Sequence, residues 1–493
     1  MTEFGSTLTR HAASLRGYRG RQNIMAAIVR RFRKPIVASA LVLGDVGAAI
    51  VAISLSRALT AATGLEPPNA KHLPIALLIL TLFCFRLYTG NGPGPFERFR
   101  MRGLGVLTFV AIDFVNGLAA DALGPFLVAG AGTALLQWIL LTIFGHYVEA
   151  VIRTLLIRLD LWGAPTALVG RGDNSRKLAH LLLSEPELGL TPIGFIENAS
   201  DEVSPQAPFP LPALGASAEP DRVDTQLEFV IFNSADEFVA VTSNPQRWMS
   251  TCGHLVVRDG NDTSSLHSRS RLLGGTIGFE IRNDLRKRRD VLFKRLIDIL
   301  LAVPIAVFVA PIIIILALAI KLVDSGPAFY VQKRVGANAA PLRMFKLRTM
   351  YADAEQRLNG HLSQDPQARA EWQRFFKLSH DPRVLPIIGD LMRRTSLDEL
   401  PQLWNVILGE MSLVGPRPFP AYHMGCFDEE FQALRVSVPP GITGMWQVSS
   451  RSNGDLEVQK TQDLFYIKNW SLWLDMYILL QTVPAVLSVK GAR

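Results

Sequence analysis

Cysteine is nearly absent from this chain: Cys84, Cys252 and Cys426 are the 3 in 493 residues, far apart and without paired spacing. That excludes a disulfide scaffold and a cysteine-built metal knot, and leaves the three as packing residues. Charge is scarce too. Asp, Glu, Lys and Arg make up 19% of the chain against 49% apolar residues, a balance that points away from a soluble enzyme and toward a membrane protein. A long basic arm precedes the first apolar segment and no small-residue cleavage site stands out, so no cleavable signal peptide is expected. No Tyr-x-x-x-Lys pair occurs anywhere, which weighs against a short-chain dehydrogenase or epimerase.

What is present is patterned. Four apolar segments, roughly 36–58, 73–89, 104–119 and 126–147, read as transmembrane helices for a hydrocarbon core of ~30 Å. Asp45 and Asp113 are isolated acids within them, expected to face a bundle interior. Arg30, Arg31, Arg33 and Lys34 precede the first segment, Arg98, Arg100 and Arg102 lie between the second and third, and Arg153 and Arg158 follow the fourth. The remaining connections carry Lys71 alone. Residues 1–35 are therefore expected to form a basic cytoplasmic arm, and 36–150 a four-helix transmembrane bundle with both ends in the cytoplasm. The net charge of +8 gathers beside apolar segments, so anionic membrane lipids rather than nucleic acid are the expected partner.

Residues 151–281 change character. PTALVGRGDNSRKLAHLL reads as strand, glycine turn and helix, and TPIGFIE and LEFVIFN as further strands, the pattern of a doubly wound, Rossmann-like cytoplasmic module. Gly170-x-Gly172 invites a dinucleotide, but Ser175 stands where a third glycine is expected. Nucleotide binding and a structural or regulatory role both stay open.

Residues 282–322 open on IRNDLRKRRDVLFKR and continue as an uncharged run, Ile299 to Ile320, with Lys321, Lys333 and Arg334 beyond it. Both flanks are basic, and Pro304 and Pro311 interrupt the run. A re-entrant membrane helix that bends near Pro311 and leaves by the same face satisfies both facts; an ordinary fifth span is the alternative. In residues 323–493, KRVGANAAPLRMFKLRTMYADAE is base-rich enough to meet phosphates. NWSLWLDMYILLQTVPAVL places Trp470 and Trp473 in an apolar helix that belongs either to the membrane interface or to a core. TSLDELPQLWNVILGEMSLVGPRP sets Asp398 and Glu399 side by side. Ser396 with Glu399 three residues on is a capping box, and Leu400, Leu403, Trp404 and Ile407 follow at helical spacing.

These stretches resemble the bacterial sugar transferases that pass a phosphosugar from a nucleotide diphosphate sugar to a polyprenyl phosphate. The resemblance is carried by KRLIDILLAVPIAVFVAPIIIILALAIKLVDSGPAF, QKRVG, MFKLRTM, DPRVLPIIGDLMRRTSLDELPQLWNVILGEMSLVGPRP, PGITGMWQVSSRS and DLFYIKNWSLWLD, about 200 residues in family order. With four preceding spans and a Rossmann-like module the chain is similar to the family's long, polytopic subgroup, whose catalytic part is a mainly helical α/β domain. The resemblance implies that Asp398 attacks the phosphorus nearest the sugar, releasing UMP and leaving an aspartyl-phosphosugar. Glu399 would hold Mg²⁺ against the diphosphate. It further implies Arg393, Arg417, Lys346 and Arg348 as grips on phosphate, Asp463 as an additional family acid, and Pro311 as the helix break. UDP-glucose is the donor it implies, with UDP-galactose as the alternative, and undecaprenyl phosphate the acceptor. The expected place is the bacterial inner membrane with the catalytic domain facing the cytoplasm, as a possible homodimer, at the first membrane step of exopolysaccharide, capsule or O-antigen assembly. A catalytically silent membrane scaffold is the competing reading. GANAAP departs from the family's glycine- and lysine-rich turn after QKRVG.

Overall fold

In a computed structural model of the chain, which describes residues 24–62, 74–90, 94–120, 123–170, 172–197, 211–216, 227–232, 253–256, 269–273, 276–280, 288–365, 367, 369, 378, 381–449 and 456–487, four helices come first. They are α1 (Ile24–Ala62), α2 (Ile75–Cys84), α3 (Pro95–Ala120) and α4 (Leu123–Arg158). All four contribute to one apolar cluster, with Val37 and Leu41 from α1, Leu78 and Leu82 from α2, Val106 and Phe109 from α3, and Leu141 and Leu156 from α4. Among the described residues, Arg33–Ala62 and Gly130–Arg158 are long and apolar enough to cross a membrane, and a third such stretch, Val291–Val323, comes later. The 10 residues of α2 rise only ~15 Å, half a hydrocarbon core. Two of the four expected spans thus meet the requirement unaided.

The bases between the second and third segments are not loop charges. Helix α3 begins at Pro95, so Arg98, Arg100 and Arg102 occupy its first turns. Arg98 and Arg102 are buried, the first paired with Glu149, the second with Asp45 and with Glu149 at 2.7 Å. Asp45 is buried and has a charge partner there, because buried ions are costly unless paired.

The α/β module follows in the same unit, residues 1–259. It contains β1 (Ala164–Val169), α5 (Asp173–Ser184), β2 (Leu190–Glu197), β3 (Ala213–Ala216), β4 (Phe229–Phe232) and β5 (Gly253–Val256). The sheet is parallel, ordered β3-β2-β1-β4-β5, the doubly wound order expected from the sequence. Ala167, Leu168 and Val169 are fully buried, as strands covered on both faces must be. Gly170, with φ 79°, makes the left-handed turn that glycine permits. Ser175 is buried, and its hydroxyl donates to the Val169 carbonyl at 3.0 Å. The missing third glycine is thus replaced by a small residue that ties α5 to β1. The module meets the start of α1, where Lys34 lies 3.2 Å from Glu228 and Arg33 bonds the same carboxylate.

The second unit, residues 260–493, opens with an antiparallel hairpin, β6 (Arg269–Leu273) and β7 (Thr276–Glu280). Helix α6 (Arg288–Val323) runs unbroken through Pro304 and Pro311. Its middle presents bare apolar side chains, Val307 at 71% and Phe308 at 79% exposure. Its start is pinned to the domain that follows: Lys294 donates to the Val414 carbonyl at 3.0 Å, Arg295 to the Ile407 carbonyl at 2.8 Å, and Asp298 accepts from the Leu413 amide at 3.0 Å. Near its end Ile320 is buried with Ala328, Leu347, Leu385 and Met392.

That domain contains the antiparallel hairpin of β8 (Phe329–Val335) and β9 (Pro341–Leu347), then α7 (Ala354–Gln364), α8 (Ile388–Thr395), a 3-10 turn Leu397–Glu399 and α9 (Gln402–Leu408). Strands β10 (Ser412–Val414) and β11 (Gly441–Thr443) pair in parallel. Short helices surround them, among them α10 (Ala421–Met424), α11 (Glu429–Val436), α12 (Met445–Ser449), α13 (Leu456–Lys468) and α14 (Leu472–Leu487). GANAAP closes as a tight turn with Asn338 and Ala339 at φ 53° and 58°, left-handed positions where a glycine would be unstrained. Trp470 settles on the core side: it is buried and donates to Asp475 at 3.0 Å. Cys84 and Cys426 are exposed, not packing residues, because each falls on the outward side of its segment; Cys252 lies outside the described residues.

Candidate active site

The carboxylate pair sits on the 3-10 turn between α8 and α9. Ser396 ends α8 in a left-handed conformation, φ 57°, and its side chain makes no capping bond. The expected capping box is therefore not formed. The Glu399 amide instead donates to the Ser396 carbonyl at 3.2 Å, and Pro401, which needs no amide partner, leads into α9. Freed from capping, the Glu399 carboxylate turns to cations. Its Oε1 accepts from Lys346 Nζ at 2.8 Å and from Arg417 Nη2 at 2.6 Å. Lys346 also lies 3.8 Å from Asp398 Oδ2.

Each partner is fixed by the local fold. Lys346 is on β9, and β9 is tied to α9 by the buried Asn405, which accepts from the Phe345 amide at 3.1 Å and donates to the Arg343 carbonyl at 2.8 Å. Arg417 follows β10 in a segment held close to β11: a Cβ on Gly441 would stand 2.1 Å from the Gly415 nitrogen, so only glycine allows the approach. Asp463 explains the rest of that segment. It is buried and binds Arg435 at 2.9 Å, Arg435 lies 3.8 Å over the Phe419 ring, and its Nη2 donates to the Arg417 carbonyl. Asp463 therefore stands behind Arg417 rather than beside the carboxylate pair. Nothing in the sequence marks Asn405 or Arg435, because no motif signals a buried amide or an arginine that serves another residue's backbone.

The other sequence candidates divide. Arg393 donates to Thr349 Oγ1 at 3.0 Å and faces both Asp381 and Asp398 electrostatically. Arg348 is not drawn to the carboxylate pair: it is buried and its guanidinium is committed to Asp324, by an ion pair and a 3.0 Å bond to the Asp324 carbonyl, which fastens β9 to the end of α6. Pro311, expected as the helix break, lies inside α6, which continues on both sides of it.

Burial and charge separate the two acids. Burial alone would raise both. For Glu399 the neighbouring Arg417 and Lys346 outweigh burial and hold its pKa down at about 2. For Asp398 burial, with the charge of Glu399, prevails over Lys346, Arg417 and Arg393, and its pKa is raised. One carboxylate is thus a fixed anion and the other the more basic, the division of labour expected where a nucleophile stands beside a charge-holding group.

The sequence model described as "Bacterial sugar transferase" matches residues 289–489, the part of the chain that builds this site. A "UDP-galactose-lipid carrier transferase" of Erwinia amylovora is 31% identical over 86% of this chain and 88% of its own length. The chain belongs to the bacterial sugar transferase family. An "Undecaprenyl-phosphate galactose phosphotransferase" of Salmonella typhimurium is 31% identical over 72% of this family member and 75% of its own length. A "UDP-glucose:undecaprenyl-phosphate glucose-1-phosphate transferase" of Caulobacter vibrioides is 38% identical over 40% of this chain and 71% of its own length.

Proposed function

We propose that this chain transfers a hexose 1-phosphate from a UDP-sugar to undecaprenyl phosphate, the first membrane step in building an exopolysaccharide, capsule or O-antigen. The observation that carries the reading is the pairing of an ionised Glu399, held by Lys346 and Arg417, with an adjacent Asp398 of raised pKa. The Asp398 carboxylate attacks the phosphorus next to the sugar, and the bridging P–O bond breaks to release UMP. The lipid phosphate then attacks the aspartyl-phosphosugar at phosphorus, forming the lipid diphosphate sugar and returning the carboxylate. Arg417, Lys346 and Arg393 supply positive charge where the phosphoryl group gathers negative charge. A relative named for galactose matches over 72% of the chain and one named for glucose over 40%; UDP-glucose is our first choice, with UDP-galactose as the alternative.

Magnesium fits this donor set in one respect. Among the described residues no three His, Cys, Asp or Glu side chains form a cage, and Mg²⁺ is commonly held by one or two carboxylates together with substrate phosphates. Glu399 would be the carboxylate, exchanging one of its present cations. When bound, the ion would neutralise charge on the phosphoryl oxygens. The test is UMP release by the purified chain from a panel of UDP-sugars with undecaprenyl phosphate. Release with UDP-glucose, and little with other donors, is expected; no release with any UDP-sugar would sink the proposal.

The inner membrane is the proposed location, with the catalytic domain in the cytoplasm where nucleotide sugars are. A re-entrant α6 is supported by its contacts: Lys294 and Asp298 near its start and Ile320 near its end pack against one and the same domain. A straight crossing of ~30 Å would carry its two ends to opposite faces. Single cysteines at Ser184 and Ser325, in a background without Cys84, Cys252 and Cys426, are expected to label only from the cytoplasmic side. Labelling of Ser325 from outside would make α6 a true span and strand the carboxylate pair away from its donor.

A further inference from the structure

One guanidinium beside the site has no task in the chemistry so far. Along the antiparallel hairpin, Tyr330 stands opposite Lys346, Gln332 opposite Met344 and Arg334 opposite Leu342, so these six share one face of the ribbon. That is the face from which Lys346 reaches Glu399 at 2.8 Å. The far end of β8 is fastened to the Arg417 segment, because the Val335 amide donates to the Phe419 carbonyl at 2.9 Å. Arg334 therefore lies where the hairpin and the Pro416–Pro418 segment converge.

Its side chain has two features. Arg334 Nε is buried without a hydrogen-bond partner among the described residues, as are several other arginine Nε atoms, but Arg334 lies beside the carboxylate pair. The group is also held against its own sign: burial and then the charge of Arg417 pull its pKa down, more than Tyr422, Tyr330 and Glu399 restore it. Glu399 cannot serve it fully, since it already accepts from Lys346 and Arg417. Around the pair, Lys346, Arg393, Arg417 and Arg334 set four positive charges against the two of Asp398 and Glu399. Asp381 is neutralised by Arg383 at 2.6 Å. Before any metal ion binds, the excess is two positive charges, the amount a bridging diphosphate would balance.

We propose that Arg334 is a substrate-binding residue, its guanidinium forming a fork with Arg417 on the diphosphate of the nucleotide-sugar donor. This rests on the function proposed above and adds a residue to its donor site. A planar fork gives two directed bonds to phosphoryl oxygens, which a lysine, as a point charge, reproduces only in part. The phosphate of the lipid acceptor is the other source of the same chemistry, and the test separates them.

The full chain carrying Arg334→Gln or Arg334→Lys is measured in three ways: UDP affinity by calorimetry, KM for the UDP-sugar, and KM for undecaprenyl phosphate. Arg334→Gln is expected to weaken UDP binding and raise the donor KM by ~10- to 100-fold, the range of a charge-assisted bond, with the acceptor KM within about twofold. Arg334→Lys is expected to recover part of the loss. UDP affinity unchanged in both variants would overturn the proposal, as would a rise confined to the acceptor KM, which would assign Arg334 to the lipid phosphate. Equal loss in both variants with a lowered melting temperature would make the arginine structural and overturn it as well. If the wild-type chain binds UDP through Arg334 yet turns over no UDP-sugar, the assigned reaction fails while the diphosphate site stands.

Discussion

Asp398→Asn is expected to lower UMP release by ~1,000-fold or more, the scale on which removal of a covalent nucleophile acts, without unfolding the protein. The amide keeps the shape of the carboxyl but is a poor nucleophile. The fold has little to lose at this position. The Asp398 carboxylate lies 3.8 Å from Lys346, too far for a strong bond, while Glu399 beside it holds the two close cation contacts. The sign of the stability effect follows from the raised pKa of Asp398. A carboxyl whose folded pKa lies above its unfolded value disfavours the folded state once ionised; that penalty is present at neutral pH and relieved as pH falls through the raised value. The variant should therefore melt no lower than the wild type at pH 7, and higher if Lys346 stays satisfied by Glu399. Intact-mass analysis after incubation with UDP-glucose alone should show a hexose-phosphate adduct on the wild type and none on the variant. UMP release by the variant at a rate near wild type would remove the aspartyl intermediate from the mechanism.

What the sequence made legible were features carried by neighbours in the chain. The doubly wound module announces itself in PTALVG and FVIF because a strand covered on both faces must be continuously apolar, and the parallel sheet order follows. The carboxylate pair and the GPRP arginine are legible as motifs, and Lys346 with them. The functions of Arg348 and Asp463 were not, since each depends on a partner far along the chain: Asp324 for one, Arg435 and through it the Arg417 carbonyl for the other. Residue type gave the correct chemistry, a guanidinium and a carboxylate, but the pairing is a property of the folded domain.

The bundle shows the opposite error. By sequence Arg98 and Arg102 fall between apolar segments, because charge ordinarily marks the end of one. In the structure they belong to α3 and are paired inside with Glu149 and Asp45. Only the partners, 51 and 57 residues away, make such burial tolerable. The capping box failed for a related reason. Ser396 and Glu399 have the right spacing, but Lys346 and Arg417 compete for the Glu399 carboxylate with full charges, against which a capping box offers it only a backbone amide.

Glu399→Gln should reduce turnover by ~100-fold, the effect of deleting one preorganised electrostatic group, and should blunt the response to added Mg²⁺. It should also change two pH profiles in directions the geometry fixes. In the native protein the Glu399 pKa is held down at about 2, from an ordinary 4.5, by Arg417 and Lys346 against the cost of burial. A carboxylate with a depressed folded pKa contributes stability that is fully present above its unfolded value and is lost as pH falls through the folded one. The variant should thus be less stable by about 3 kcal/mol at pH 7, and the difference should shrink as pH falls from 4.5 toward about 2. The second profile belongs to Asp398. Glu399 is one of the groups that raise its pKa, while Lys346 and Arg417 lower it. With glutamine at 399 the raising charge is gone and both cations are free to turn toward Asp398, so its pKa must fall. The acid limb of UMP release should move to lower pH even as its plateau drops. Thermal melts and initial rates between pH 3 and 8 measure both. A variant with wild-type turnover, an unmoved acid limb and an unchanged magnesium response would show that Glu399 merely neutralises its cations and takes no part in the reaction.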